Sequence, residues 1–254
     1  MSFKIVIPAR YASSRLPGKP LIDIVGKPMI QHVFERAQES LAEEVIIATD
    51  DARIEQVARD FGADVCITRA DHPSGTDRLA EVASIRAFND HDIIINVQGD
   101  EPCLPAALID QVADDLSQHH DADIASLYSQ ITQEKQIFDP NVVKVVMDKG
   151  GYAMYFSRAP IPWDREQYKE GQRGITKLPA VYRHIGMYGY RVSFLNQYKD
   201  MKATALEQAE CLEQLRALSY GIKIHMSVID IPPGHGVDTP EDIKRVESLL
   251  ASLN

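Results

Sequence analysis

Four short strand-like runs, rich in β-branched apolar residues, recur through the first hundred positions at 3–7, 45–49, 64–68 and 93–97, with helical patterns between them. Val45-Ile46-Ile47-Ala48-Thr49 is apolar without alternation, as expected of a strand covered on both faces. After Pro28, the residues Met29, Ile30, Val33, Phe34 and Ala37 fall on one side of a helix. Asp50-Asp51 offers a cap for the next helix and Gly62 a stop. Strands joined through helices need crossovers, and crossovers set the strands parallel. The expected fold is α/β, a doubly wound and mostly parallel sheet.

The second half has a different texture. Runs at 142–147 and 152–156 flank Asp148-Lys149-Gly150-Gly151, which reads as a hairpin. A polar, glycine-containing stretch at 163–180 reads as a loop and 181–190 as a strand. A helix is expected over 206–219, ending near Gly221, then a strand over 222–229. Thr239-Pro240-Glu241-Asp242 opens the last helix, with threonine as cap and proline in the first turn. No repeat, low-complexity tract or long linker interrupts the chain. It is expected to form one domain over 1–254, with a β-rich lobe inserted at 142–190.

Composition narrows the function. With 254 residues, 44% of them hydrophobic, the chain can bury a substantial core. A net charge of -10 argues against nucleic acid or an anionic membrane as the main partner. No apolar run approaches the roughly 20 residues that span a bilayer. The first strand begins too early to leave room for a signal peptide, so a cytoplasmic protein is expected. Cys66, Cys103 and Cys211 are odd in number and scattered, which fits reduced thiols.

Against that acidic background, Arg10, Arg15 and Lys19 crowd into the loop straight after the first run. An α/β sheet holds phosphorylated ligands at the carboxyl ends of its strands. Surface cations also serve solubility, but the glycine and prolines shaping this loop favour a polyphosphate site. It is not a Walker A loop, which would need glycine at Ser13 and Ser or Thr at Pro20. No G-x-G-x-x-G follows the first strand either. Asp100, in Gln98-Gly99-Asp100-Glu101-Pro102, falls at the same edge of the sheet, where a carboxylate suits Mg²⁺ beside phosphates. An ordinary turn aspartate is the alternative. Asp238 precedes the last helix and could cap it, although Thr239 is placed to do so, leaving Asp238 able to face a metal.

The stretches IPARYASSRLPGKPL, VQGDEP, YFSRAPIPWDR, YRHIGMYGY, LEQLRAL and GVDTPEDI occur in that order from end to end. Together they resemble the 3-deoxy-manno-octulosonate cytidylyltransferases, also called CMP-Kdo synthetases. The first stretch is shared with other nucleotide-sugar synthetases, while YRHIGMYGY and GVDTPED narrow the resemblance. It implies the nucleotide-diphospho-sugar transferase type of fold and cytidylyl transfer from CTP to 3-deoxy-D-manno-octulosonate (Kdo), with release of diphosphate. Acceptors left open are the 8-amino analogue of Kdo and sialic acid. Residues 1–130 would then be the nucleotide-binding half, and 142–190 the lobe for the sugar and for a homodimer contact.

By the same resemblance, Arg10 and Lys19 hold the triphosphate with Ser13 and Arg15, and Asp100 and Asp238 ligate Mg²⁺. The small-residue loop with Ser74 and Arg78 reads cytosine, although Arg78 could instead pair with Asp77 or Glu81. Arg158 or Arg165 takes the sugar carboxylate, since an arginine fork matches it bidentately. His184, Tyr188, Glu213 and Gln214 face sugar hydroxyls. Each has a plainer reading: His184 as a satisfied core histidine, Tyr188 as a core aromatic, Glu213 as a solvated helix face. The product would serve lipopolysaccharide synthesis.

Overall fold

The structure, a computed structural model, describes residues 2–12, 16–168, 180–234 and 236–253. Ser13, Arg15 and positions 169–179 of the expected 163–180 loop lie outside the described residues.

Strand β1 (Lys4–Ala9) goes straight into the interior. Ile5, Val6 and Ile7 are completely buried, and each such side chain contributes roughly 1.5–3 kcal/mol. A 3-10 turn at Lys19–Leu21 and a small ribbon of β2 (Asp23–Ile24) with β3 (Lys27–Pro28) lead into α1 (Met29–Gln38). The expected alternation continues through β4 (Glu44–Thr49), α2 (Ala52–Asp60), β5 (Asp64–Ile67), α3 (Gly75–Ile85), β6 (Ile93–Asn96) and α4 (Ala106–Gln118). Asp51 caps α2 by accepting from the Arg53 N–H, and Ser74 caps α3 by accepting from the Asp77 N–H.

Beyond these come β7 (Ile124–Gln130), α5 (Glu134–Phe138), β8 (Lys144–Met147), β9 (Ala153–Ser157), β10 (Tyr182–Arg191), α6 (Val192–Tyr198), α7 (Ala205–Glu210), α8 (Gln214–Ser219), β11 (Ile224–Val228) and α9 (Pro240–Leu253). The central sheet runs β11-β7-β10-β6-β1-β4-β5. All its neighbours pair in parallel except β10, which is antiparallel to both β6 and β7. The expected hairpin is there, β8 against β9, and it hangs from the first residues of β10. The later residues of β10 lie in the middle of the main sheet, with Tyr188 opposite Asn96. The segment 142–190 is thus part appendage and part sheet.

Side chains alternate cleanly across β1. Ile5 and Ile7 join Val33, Ile54 and Val112 under α1, α2 and α4, while Val6 joins Leu79, Phe194 and Leu215 under α3, α6 and α8. Both faces are covered, as the unbroken apolar runs require.

One sequence expectation fails locally. The helix over 206–219 is two helices, α7 and α8, because Cys211 takes a left-handed conformation with φ 51°. The break turns Arg216 back onto Glu207 in a buried two-point pair at 2.5 and 2.8 Å. In one straight helix these residues would stand about 13 Å apart along the axis.

Candidate active site

From β1 the chain crosses through α1 to β4 on one side, and from β6 through α4 to β7 on the other. The crevice opens where these directions diverge, at the carboxyl ends of β1 and β6. Gly99 makes the closure there possible. A Cβ on it would lie 2.9 Å from the Pro8 carbonyl oxygen, so only glycine lets the two strand ends approach this closely. Gly18, at φ 71°, donates its N–H to the Tyr11 carbonyl at 3.0 Å, which shuts the loop and sets Lys19 at the start of the 3-10 turn.

Lys19 is the centre of the crevice. Its ammonium lies 2.6 Å from Asp100 Oδ2 and 3.1 Å from Asp238 Oδ1. The lysine is buried, while both carboxylates keep open faces. A backbone bond fastens the two aspartate loops together, from the Val237 N–H to the Asp100 carbonyl at 2.8 Å. Asp242 reaches back, accepting from the Asp238 and Thr239 N–H groups at 3.1 and 2.8 Å. Burial pushes the neighbouring Glu101 carboxyl up to about 7, helped by the charge on Asp100.

Arg10 lines the same crevice. Its Nη2 is buried with no hydrogen-bond partner among the described residues. A buried charged donor without an acceptor is costly, and an anion entering the crevice would satisfy it.

A second hollow adjoins the first, and Gly75 and Gln98 line both. Its far wall is an aromatic ladder on β10 and α6. Tyr188 stacks on Tyr190 with ring centroids 5.7 Å apart, Tyr190 on Phe194 at 5.6 Å, and Phe194 tilts against Tyr198 at 5.6 Å. Polar groups come from elsewhere. Thr76, in the first turn of α3, donates to Glu213 Oε2 at 3.3 Å. Desolvation by the surrounding walls lifts the Glu213 carboxyl above the usual range, against the pull of Thr76. Gln214 completes that side, and Asn96 Oδ1 is buried with no hydrogen-bond partner among the described residues. The hollow offers stacking surface and unmet hydrogen-bonding capacity, the needs of a polyhydroxylated ligand.

The structure therefore gathers Arg10, Lys19, Asp100 and Asp238 in one crevice and Tyr188, Glu213 and Gln214 in the next. Other candidates lie elsewhere. Arg78 is fully buried behind the crevice, donating to the Thr68 hydroxyl and 3.2 Å from Asp50, rather than pairing with Asp77 or Glu81. Ser74 caps α3 and donates to Asp77 at 2.7 Å. His184 is buried against Ser126 (3.0 Å), Phe156 and Tyr188, and burial drops its basicity to about 3, so it is a neutral ring. Arg158 gives its guanidinium to the Glu210 and Pro140 carbonyls at 2.7 and 2.8 Å. Arg165 is exposed and lines neither hollow. Gln98, Asn96, Thr76 and Tyr190 line the site without having been singled out in the sequence. Of these, Gln98 carried a signal, its place in the turn that presents Asp100.

Residues 4–224 match the family model described as Cytidylyltransferase. A 3-deoxy-manno-octulosonate cytidylyltransferase of Nitrosococcus oceani is 55% identical over 254 residues, 99% of this chain and 98% of that protein. One of Hahella chejuensis is 53% identical over 250 residues, 98% of each chain. A solved structure of CMP:2-keto-3-deoxy-manno-octonic acid synthetase complexed with CTP aligns with a TM-score of 0.90 and 42% identity, covering 100% of this chain and 99% of that one. Among the described residues, no helix is long and apolar enough to cross a membrane. The fold, the crevice and these relatives agree, and the chain belongs to the cytidylyltransferase family, in its 3-deoxy-manno-octulosonate branch.

Proposed function

We propose that this protein transfers the cytidylyl group of CTP to Kdo, giving CMP-Kdo and diphosphate. The observation that carries the reading is the continuity of the two hollows at Gly75 and Gln98, one cationic and one hydroxyl-binding in character. A triphosphate in the first and a sugar acid in the second would meet at that junction.

The chemistry asks the protein mainly for alignment and charge neutralisation. The sugar's anomeric oxygen bonds to the α-phosphorus as the bond to the diphosphate oxygen breaks, and the hydroxyl proton is lost. Arg10 supplies a donor to the phosphates that nothing else in the described crevice satisfies. Tyr188, Glu213, Gln214 and Gln98 surround the sugar and fix which hydroxyl faces the nucleotide. Asp100 and Asp238 fit Mg²⁺: both are hard oxygen donors, and one cationic group already reaches both of them. When bound there, the ion neutralises triphosphate charge and eases loss of the hydroxyl proton. Closing the site around both substrates would exclude water that could hydrolyse the nucleotide.

The reading extends to a cytoplasmic enzyme supplying lipopolysaccharide synthesis. It also extends to a homodimer formed through the 142–190 segment, whose β9 strand presents Met154 to solvent. Light scattering at assay concentration is expected to give twice the chain mass. The relatives are octulosonate enzymes by name, which does not favour the 8-amino analogue or sialic acid. Diphosphate release should require CTP, Mg²⁺ and Kdo together. Equal or faster release with either other sugar acid would transfer the activity to that acceptor.

A further inference from the structure

Lys19 stands where two carboxylates read as metal ligands converge, and that placement has a consequence for metal binding. The ammonium is within 3.1 Å of both Asp100 and Asp238, and its side chain is the buried member of the trio. Two carboxylates held this close repel each other, and a lysine ammonium is a compact point charge on a flexible stem that neutralises both. A divalent cation bridging the two carboxylates would sit against the ammonium that already bridges them, and the two positive charges repel. Among the described residues lining the crevice Asp100 brings the one carboxylate, so an arriving cation alone offers the displaced ammonium no second anion there. A cation arriving with a triphosphate does, because phosphate oxygens replace the carboxylates it gives up.

We propose that Lys19 closes the Asp100–Asp238 pair to free divalent cations, and that only a cation carrying a triphosphate displaces it. The inference rests on Asp100 and Asp238 being metal ligands. Lys19 thus has two successive partners, the carboxylates first and the phosphates afterwards. Metal and nucleotide are made to bind as a unit, with a positive coupling that Lys19 transmits.

The test is Mn²⁺ binding to the metal-free protein without nucleotide, read by calorimetry and by the spin-resonance signal of free Mn²⁺. The wild type should bind weakly. Lys19→Met and Lys19→Gln, each confirmed folded by its melting transition, should bind Mn²⁺ about tenfold more tightly, although both weaken CTP. Lys19→Arg, which keeps the charge, should not tighten it. A loss of the gain in Lys19→Met/Asp100→Asn would tie it to the carboxylates.

The wild type supplies an independent reading, since reductive methylation of Lys19, followed by peptide mass mapping, should be unaltered by millimolar free Mg²⁺. If the neutral variants bind Mn²⁺ no better than wild type, or free Mg²⁺ speeds methylation, the gate does not exist. The metal-ligand reading fails separately, if Asp100→Asn and Asp238→Asn leave Mn²⁺ binding in the presence of nucleotide unchanged.

Discussion

Two clusters of charge sit at opposite edges of one sheet, and they are built for opposite purposes. Lys19, Asp100 and Asp238 meet at the carboxyl ends of the strands. Asp115 and His119 at the end of α4 meet His225, the second residue of β11, at the amino ends. In the first, one ammonium serves two half-open carboxylates that arrive on separate loops. In the second, the polar atoms of the central ring are already engaged. His225 Nδ1 faces the Asp115 carboxylate at 2.8 Å, and its Nε2 faces the Gly150 carbonyl at 3.2 Å. Both partners only accept, an arrangement that favours the doubly protonated, positively charged ring.

The ligand atoms of Asp115, His119 and His225 lie within 4.8 Å of one another, close enough to suggest a metal. The rings argue otherwise. They stack with centroids 3.5 Å apart and planes 17° from parallel, so their nitrogens lie in two near-parallel planes instead of converging on an ion. A cluster becomes a reactive site when its charges are under-committed, and a latch when each charge is satisfied by the fold.

The largest expected effect breaks the first cluster. Asp100→Ala should lower kcat by about a hundredfold or more, with little change in melting temperature, because the residue sits at an open strand end. Asp238→Asn should act in the same direction and less strongly. Magnesium-dependent turnover within about tenfold of wild type for Asp100→Ala would falsify the metal assignment. A change in melting with no change in rate for Asp238→Asn would make it a helix cap after all.

The second cluster should answer in stability rather than in rate. His225→Ala leaves the Asp115 carboxylate without its main partner and cuts the tie to the β8–β9 turn. A loss of about 1–3 kcal/mol of stability is expected, read by denaturant unfolding. At temperatures well below melting, kcat and both KM values should stay within about twofold of wild type, since the cluster lies across the sheet from the crevice. A rate loss as large as that of Asp238→Asn, in protein that remains folded, would mean that the two edges are coupled.

The first cluster was far more legible in the sequence than the aromatic wall of the second hollow. Arg10 and Asp100 closely follow the ends of β1 and β6, and Lys19 belongs to the loop that β1 feeds, so local pattern places them at one edge. Asp238 was legible because Thr239-Pro240 begins a helix just after it. Strand β10 was harder. Its residues announce a strand, but nothing local says that it runs antiparallel between β6 and β7, which is decided by pairings with residues as distant in the chain as Tyr182 from Gln130 and Tyr188 from Asn96. That insertion is what buries His184 against Ser126 and turns Tyr188 towards the hollow. The surroundings of Arg158 were hidden for a similar reason: the left-handed Cys211 ends α7 early and brings the Glu210 carbonyl to its guanidinium. The sequence shows which groups are present and which edge they reach, while neighbours distant in the chain decide which of them stay available to a ligand.

The finest test of the latch is its pH dependence. Burial alone would lower the basicity of His225, but the Asp115 carboxylate and the Gly150 carbonyl outweigh it, and the net shift is upwards from 6.5. A histidine with a raised folded value contributes stability that is complete below its unfolded value. That contribution is lost as pH rises through the folded value. The other groups packed around it interfere little in this window. The Asp121 hydrogen bond pushes Tyr152 up to about 12, and the Lys223 and Tyr152 contacts hold Asp121 at about 2. His119 stacks on the ring and is itself an imidazole, so the measurement belongs in a His119→Asn background as well as in wild type. In both, His225→Asn keeps a donor towards Asp115 but carries no charge at any pH. The stability lost on making His225→Asn should be largest near about pH 5.5 and should shrink steadily towards about pH 8.5. A difference that is flat, or that grows with pH, would mean that His225 is held as a neutral ring and that the latch works through packing alone.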